Sequence, residues 1–291
     1  MGKIATSISD QIQLLKDRGM NFDMDEDKVK EILLDIGYYR LGFYWFPFEI
    51  DKDHNFKEGT NFSTVVNLYY LDVDLRHFII KYINRIEVSF RTKVVYYVSN
   101  KYKDSPTWFI DKKVMLPGFI KDFDKYYQSD YIKCSTVIKK HHKKYINDKY
   151  APAWKTLEYF TFGTILTIYK SLIDEEIKQR ISNIFGVKDV KKFTQLMSAI
   201  VFLRNNCAHS NVVFDLRNPY GLPSLPFYEF NNRDRHSLDS CLKILNFILS
   251  NVSINRSDEF LRGIDYIFNE FKEDDKIREL IETSINYKFK E

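Results

Sequence analysis

Arg204 and His209 bracket the stretch Arg204-Asn205-Asn206-Cys207-Ala208-His209, and the two side chains suit a phosphodiester. A guanidinium holds phosphate bidentately and stays charged, whereas an imidazole with an unperturbed pKa of about 6.5 gives or takes a proton at neutrality. RNA brings its own nucleophile, the 2′-hydroxyl. Metal-free cleavage then needs a base for that hydroxyl, an acid for the departing 5′-oxygen and positive charge on the phosphorane; acid/base help alone is worth about 10²–10⁴ in rate. The products would be a 2′,3′-cyclic phosphate and a 5′-hydroxyl. The spacing is not diagnostic by itself: with 13 Arg and 6 His in the chain, chance supplies roughly 0.3 R-x4-H occurrences. A helix-ending Arg followed by a turn His is the plain alternative.

Other residues could serve the same chemistry. Glu87 and Arg91 stand one helical turn apart, either as a surface pair worth about 0.2–0.5 kcal/mol or as support for a site. Glu158, inside an apolar stretch, is either an acid near the site or the buried partner of an Arg. Residues 133–149 are basic, and Lys139, Lys140, Lys143 and Lys144 form either a solvated face or a contact for RNA phosphates. His141 and His142 lie between them, but neighbours on a helix point about 100° apart and chelate one metal poorly. The aromatic run at residues 38–48 reads as a core plug rather than a base-stacking platform, and Trp154 and Phe162 also read as core.

The elements that must position these groups read as helices. Residues 191–206 place Phe193, Leu196, Met197, Ile200, Val201 and Leu203 on one side, so Arg204 follows a well-anchored segment. Asn206-Cys207 are poor helix formers; ending the helix there would let His209 fold back beside Arg204. Ser7 can cap a first helix, Asp25-Glu26-Asp27 open a second, and Thr60 can cap a run from Phe62 towards Tyr102. About 40 residues exceed the usual helix length, so a break is expected near Asp72–Asp74. Further helices are expected over 154–172, 174–185, 237–249 and 257–271, the last two each opening on a capping Ser, with a charged one from Asp274. Pro219, Gly221, Pro223 and Pro226 mark a long loop over 212–235, read as a lid or arm.

Composition bounds the rest. Gly and Pro are scarce at 10 and 7 while Phe and Tyr number 24 and 20, which favours long packed helices. A formal charge of +4 is too small to mark a nucleic-acid binder, so any basic surface must be local. Cys134, Cys207 and Cys241 are odd in number and show no C-x-x-C pairing, which argues against disulfides or zinc and for a reducing compartment. Neither a signal-peptide pattern nor an 18-residue apolar span is present, so a cytoplasmic location is expected.

Four blocks in order carry a family resemblance: Ile36-Gly37-Tyr38-Tyr39-Arg40-Leu41 with Tyr44 and Pro47-Phe48; Arg85-Ile86-Glu87-Val88-Ser89-Phe90-Arg91-Thr92; Pro152-Ala153-Trp154 with Glu158 and Thr161-Phe162-Gly163; and Arg204-Asn205 with Cys207-Ala208-His209. Over about residues 5–250 the chain resembles abortive-infection proteins of the AbiD/AbiF type, which are similar to the HEPN superfamily of helical RNases. The resemblance implies catalytic Arg204, Asn205 and His209, metal-independent RNA cleavage without a cofactor, a homodimer joining two motifs, and phage defence; some relatives are encoded beside a structured small RNA. The expected architecture is all-α: a helical appendage over 1–58 and a HEPN-like bundle over 59–291. The competing expectation is a non-catalytic binder of a structured small RNA.

Overall fold

Three short helices precede a very long one in the computed structural model, which describes residues 4–225 and 229–290, the Cys134 side chain excepted. α1 (Ile8–Asp17) opens on a capping box in which Ser7 and Asp10 satisfy each other's backbone N–H groups. α2 (Glu26–Asp35) leads to Gly37, whose φ of +92° turns the chain into α3 (Tyr38–Trp45). The aromatic run divides: Tyr44, Trp45 and Phe48 are buried as a plug, while Tyr39 and Phe46 face outward.

α4 (Phe62–Lys101) is one uninterrupted helix of 40 residues. The break expected near Asp72 is absent because Asp72 is buried and its carboxylate is satisfied by other elements, whereas Asp74 faces solvent. Thr60 does not cap this helix; it is buried and donates to the Lys57 carbonyl at 2.7 Å, while Asp23 accepts the Ser63 N–H at 3.1 Å.

The remaining helices are α5 (Pro117–Asp122), α6 (Ser129–Cys134), α7 (Thr136–Lys144), α8 (Ala153–Thr156), α9 (Phe162–Ser171), α10 (Glu175–Ile184), α11 (Val190–Ala208), α12 (Leu238–Ser250), α13 (Ile254–Asn269) and α14 (Asp275–Leu280). The chain is all-α, 66% helical, with 14 helices and no strand among the described residues. α4 is the axle, packed by α3, α9, α10, α11, α12 and α13. At its middle Phe90 meets Phe162, Tyr169, Phe185 and Phe193 with ring centroids 6.1, 5.4, 6.1 and 6.0 Å away, an aromatic knot that joins α4 to α9, α11 and the end of α10. One apolar cluster runs from Ile12 to Ile285, so α1–α3 share their core with the later helices.

Three local expectations are corrected. Residues 154–172 are not one helix: α8 passes into a 3-10 turn, Leu157–Tyr159, Phe160 is extended, and Thr161 accepts the Thr164 N–H at 3.2 Å to start α9. α13 begins after Ser253; Ser257 lies inside it, buried, and donates to Asn246 Oδ1 at 2.8 Å. The 212–235 loop is laid on the core through Val213, Phe214, Leu216 and Leu222, and Asn218 and Leu222 donate N–H bonds of 2.7 and 2.9 Å to His236 and Arg235, so among the described residues it is neither lid nor arm. Pro226 lies outside the described residues. No helix is long and apolar enough to cross a membrane among the described residues.

Candidate active site at the end of α11

α11 is fixed at both ends. Asp189 Oδ1 accepts the N–H groups of Lys191 and Lys192 at 2.8 and 3.0 Å. At the other end the Ser210 N–H donates to Cys207 O at 3.3 Å and the Asn211 N–H to Asn206 O at 3.0 Å, the pattern of a Schellman cap. Ser210 takes the left-handed position, φ +55°, that glycine usually fills. The helix therefore runs through the weak helix formers to Ala208, two residues beyond Asn206, because Cys207 is drawn into the core. Burial pushes its thiol up to about 12, which removes it as a nucleophile.

That continuation keeps the two motif residues on helical spacing. Five residues along a continuous helix are about 140° around the axis, and no hydrogen bond joins Arg204 to His209 among the described residues. The folding back expected of His209 depended on a helix end at Asn206-Cys207, and the helix continues to Ala208. His209 is instead the C-cap, its N–H donating to Asn205 O at 3.0 Å and its exposed imidazole without a hydrogen bond or ion pair among the described residues. Arg204 is partly sheltered, its side chain 27% exposed, and its Nη1 reaches Asn205 Oδ1 only at 3.4 Å.

Behind Arg204 stands a row of alternating charges. Glu87 and Arg91 are not a surface pair: each is 9% exposed. Arg91 Nη2 donates to Glu87 Oε1 at 2.7 Å and to Phe160 O at 3.0 Å, and Glu87 Oε2 lies 3.8 Å from Arg204 Nε. On the far side Arg91 Nη1 is 3.9 Å from Glu158 Oε1, whose side chain is 64% exposed. Residues from three helical segments are thus gathered beside the α11 terminus. Arg204 Nε and Arg91 Nε are buried without hydrogen-bond partners, so the guanidinium of Arg204 is held by charge more than by hydrogen bonding.

A second cluster, not singled out as functional from sequence, grips the turn after His209. Asp72 Oδ1 accepts the N–H groups of Val213 and Phe214, both at 2.8 Å, while Oδ2 accepts from Tyr44 Oη at 2.9 Å and from Arg76. Arg76 also donates to Asn211 O at 3.3 Å, and Arg40 on α3 donates to Ser210 O. Burial pushes the Asp72 carboxyl above its ordinary value, against the pull of Arg76 and these donors. The available signal is an Asp and an Arg one turn apart, but with Asp74 between them and His77 after them the stretch reads as a break.

A family model described as Abi-like protein matches residues 31–215. The chain belongs to the Abi-like protein family. Membership points to abortive-infection defence. No curated protein and no solved structure matches the chain. The Abi-like region contains every charged group of the two clusters, from Arg40 to His209, together with α7.

On α7 of this Abi-like protein, Lys139, Lys140, Lys143 and Lys144 are all exposed, and none is paired with a carboxylate among the described residues. The two histidines between them serve the fold. His141 is buried with Nε2 3.0 Å from Asp148 Oδ2, and His142 Nε2 meets Tyr127 Oη at 2.8 Å. Among the described residues no three His, Cys, Asp or Glu side chains converge as metal ligands. Phe162 is core as expected, whereas Trp154 is 53% exposed and is not. Cys207 and Cys241 are free and buried.

Proposed function

We propose that this Abi-like protein is a metal-independent endoribonuclease of abortive-infection defence, with Arg204 on the scissile phosphate and His209 moving protons. The observation that carries this reading is the contrast at the α11 terminus. Arg204 is backed by the buried Glu87–Arg91 pair, while His209 presents an imidazole unpartnered among the described residues, on a turn held by Arg40, Arg76 and Asp72. In the reaction the 2′-oxygen attacks phosphorus as its proton passes to a base, and the P–O5′ bond breaks as the 5′-oxygen takes a proton from an acid. The charge gathered on the non-bridging oxygens falls to Arg204, and Asn205 beside it orients that guanidinium or the phosphate.

One imidazole cannot be base and acid in the same displacement, and Arg204 and His209 diverge on one helix. Two copies of the chain, with the α11 termini facing across a two-fold axis, would supply both roles. A HEPN-like bundle working in the cytoplasm as a homodimer accords with this, as does a cognate structured small RNA as regulator. Cleavage of single-stranded RNA in EDTA, leaving cyclic-phosphate ends and abolished by His209→Ala, is the expected result. Wild-type cleavage by His209→Ala, or cleavage restored only by Mg²⁺ or Mn²⁺, would discard the mechanism. A second reading, a non-catalytic binder of structured RNA, is favoured by the four exposed lysines of α7, none paired with a carboxylate among the described residues; it predicts salt-sensitive binding with no cleavage.

A further inference from the structure

Of the three tryptophans, Trp45 and Trp108 are 4% and 0% exposed, but Trp154 is 53% exposed. The segment that carries it is firmly held. The Ala153 N–H donates to Pro106 O at 2.8 Å, Thr156 Oγ1 to Ala151 O at 2.7 Å, and Tyr131 Oη to Thr156 O at 2.6 Å. Ala153, Thr156 and Leu157 face the core, which leaves Trp154, Glu158 and Tyr159 on the outer side. A large aromatic ring is thus presented to solvent on a rigid backbone.

Its surroundings are charged in a directional way. One turn onward, Glu158 reaches Arg91 at 3.9 Å, and through Arg91 and Glu87 the row ends at Arg204. In the other direction, Lys155 Nζ is 3.5 Å from Nδ1 of His141 on α7, and α7 packs on α8. Trp154 therefore stands on a segment that packs against α7, the helix carrying the exposed lysines, one turn before Glu158, where the row leading to Arg204 begins. An exposed aromatic ring on a rigid segment packed against a helix with four exposed lysines suits a polyanion whose bases can stack, that is, a single-stranded nucleic acid.

We propose that Trp154 is a stacking platform for a nucleobase of single-stranded RNA, placed so that the strand's phosphates run from Lys139, Lys140, Lys143 and Lys144 towards Arg204. The proposal rests on the reading of this protein as one that acts on RNA.

Trp45 and Trp108 also fluoresce, but they are buried where a nucleobase cannot stack on them, so quenching on binding that is absent in Trp154→Phe reports on Trp154. The His209→Ala chain, which keeps the strand intact, is titrated with oligouridylate while the anisotropy of a labelled oligouridylate reports binding independently. Quenching that tracks binding is expected. Trp154→Ala should bind roughly tenfold or more weakly, and Trp154→Phe should recover most of that affinity without the quenching. Binding with unchanged fluorescence, or Trp154→Ala binding as tightly as its parent, overturns the platform and leaves the RNA reading standing. Absence of any binding at low salt overturns both. Self-association by sedimentation that is lost in Trp154→Ala, with RNA affinity kept, assigns the ring to a protein interface and overturns the proposal.

Discussion

Arg204 at the end of α11 is set against Glu87 at the middle of α4, Nε to Oε2 3.8 Å, an ion pair without a hydrogen bond. Glu87 gives its short contact to Arg91, at 2.7 Å. The carboxylate thus fixes one arginine and only steers the other, which leaves the Arg204 guanidinium available for a phosphate.

Removing that carboxylate separates the two tasks. Glu87→Ala leaves the buried Arg91 with only the exposed Glu158 at 3.9 Å as counter-charge and should cost up to about 3–5 kcal/mol in urea unfolding. Glu87→Gln keeps an acceptor for Arg91, so it should lose less stability, while single-turnover cleavage drops by up to about 10²-fold from misplacement of Arg204. Full cleavage by Glu87→Gln would show that the charge of Glu87 does not position Arg204.

Arg204→Ala and His209→Ala should each retain the far-ultraviolet circular dichroism of the parent, because neither side chain belongs to the core. His209→Ala should cut RNA about 10²–10⁴-fold more slowly while still binding it. Arg204→Ala should lose affinity as well, since its interaction with phosphate exists before and during the reaction. Mixed dimers of wild-type and doubly substituted chains test whether two motifs are needed; half the activity per dimer, which is full activity per wild-type chain, would argue against a shared site.

The anchors of the His209 turn should divide stability from activity. Asp72→Ala strands Arg76 and two backbone N–H groups in the interior and should cost about 3–5 kcal/mol by denaturant titration. Arg40→Ala removes the donor to Ser210 O from outside the core, so it should alter stability little and slow cleavage by loosening the turn. Unaltered cleavage by Arg40→Ala would mean that Arg76 and Asp72 suffice to hold it.

Replacing Lys139, Lys140, Lys143 and Lys144 together with Ala should lower RNA affinity and flatten its dependence on salt, by up to about 0.7 in log–log slope for each phosphate that is no longer neutralised. Turnover at saturating RNA should stay near wild type. An unchanged slope would reduce α7 to a solvated face.

Ser210 holds φ +55° at the cap position glycine favours. Ser210→Gly should raise stability by up to about 1 kcal/mol, the left-handed penalty of an L-residue less the extra freedom glycine has when unfolded. A loss of stability on thermal unfolding would show that the serine side chain contributes more than its backbone strain removes.

Much of this architecture is local and therefore legible in the chain. Ser7 and Asp189 sit before apolar repeats and accept helical N–H groups, the scarcity of Gly and Pro matches long helices, and residues 191–206 carry the repeat that α11 buries. The motif could likewise be placed near a helix end, since capping and periodicity depend on residues within a few positions of each other.

What the tertiary structure alone decided is the fate of the charged and aromatic groups. α4 is packed by several helices at once, so it has no single apolar stripe from which a buried face could be read. Glu87 and Arg91 have the spacing of a surface pair, and only the closure of α11 and the 158–160 segment over them makes them interior. Asp72 has the look of a break, and only Tyr44 and the backbone of Val213 and Phe214 satisfy it inside a continuous helix. Trp154 goes the other way, left in solvent because the short α8 turns its opposite side to the core. A charge is buried only when partners from distant segments offset its desolvation, and an aromatic ring is exposed only when no neighbour packs over it; both depend on interactions between residues far apart in the chain.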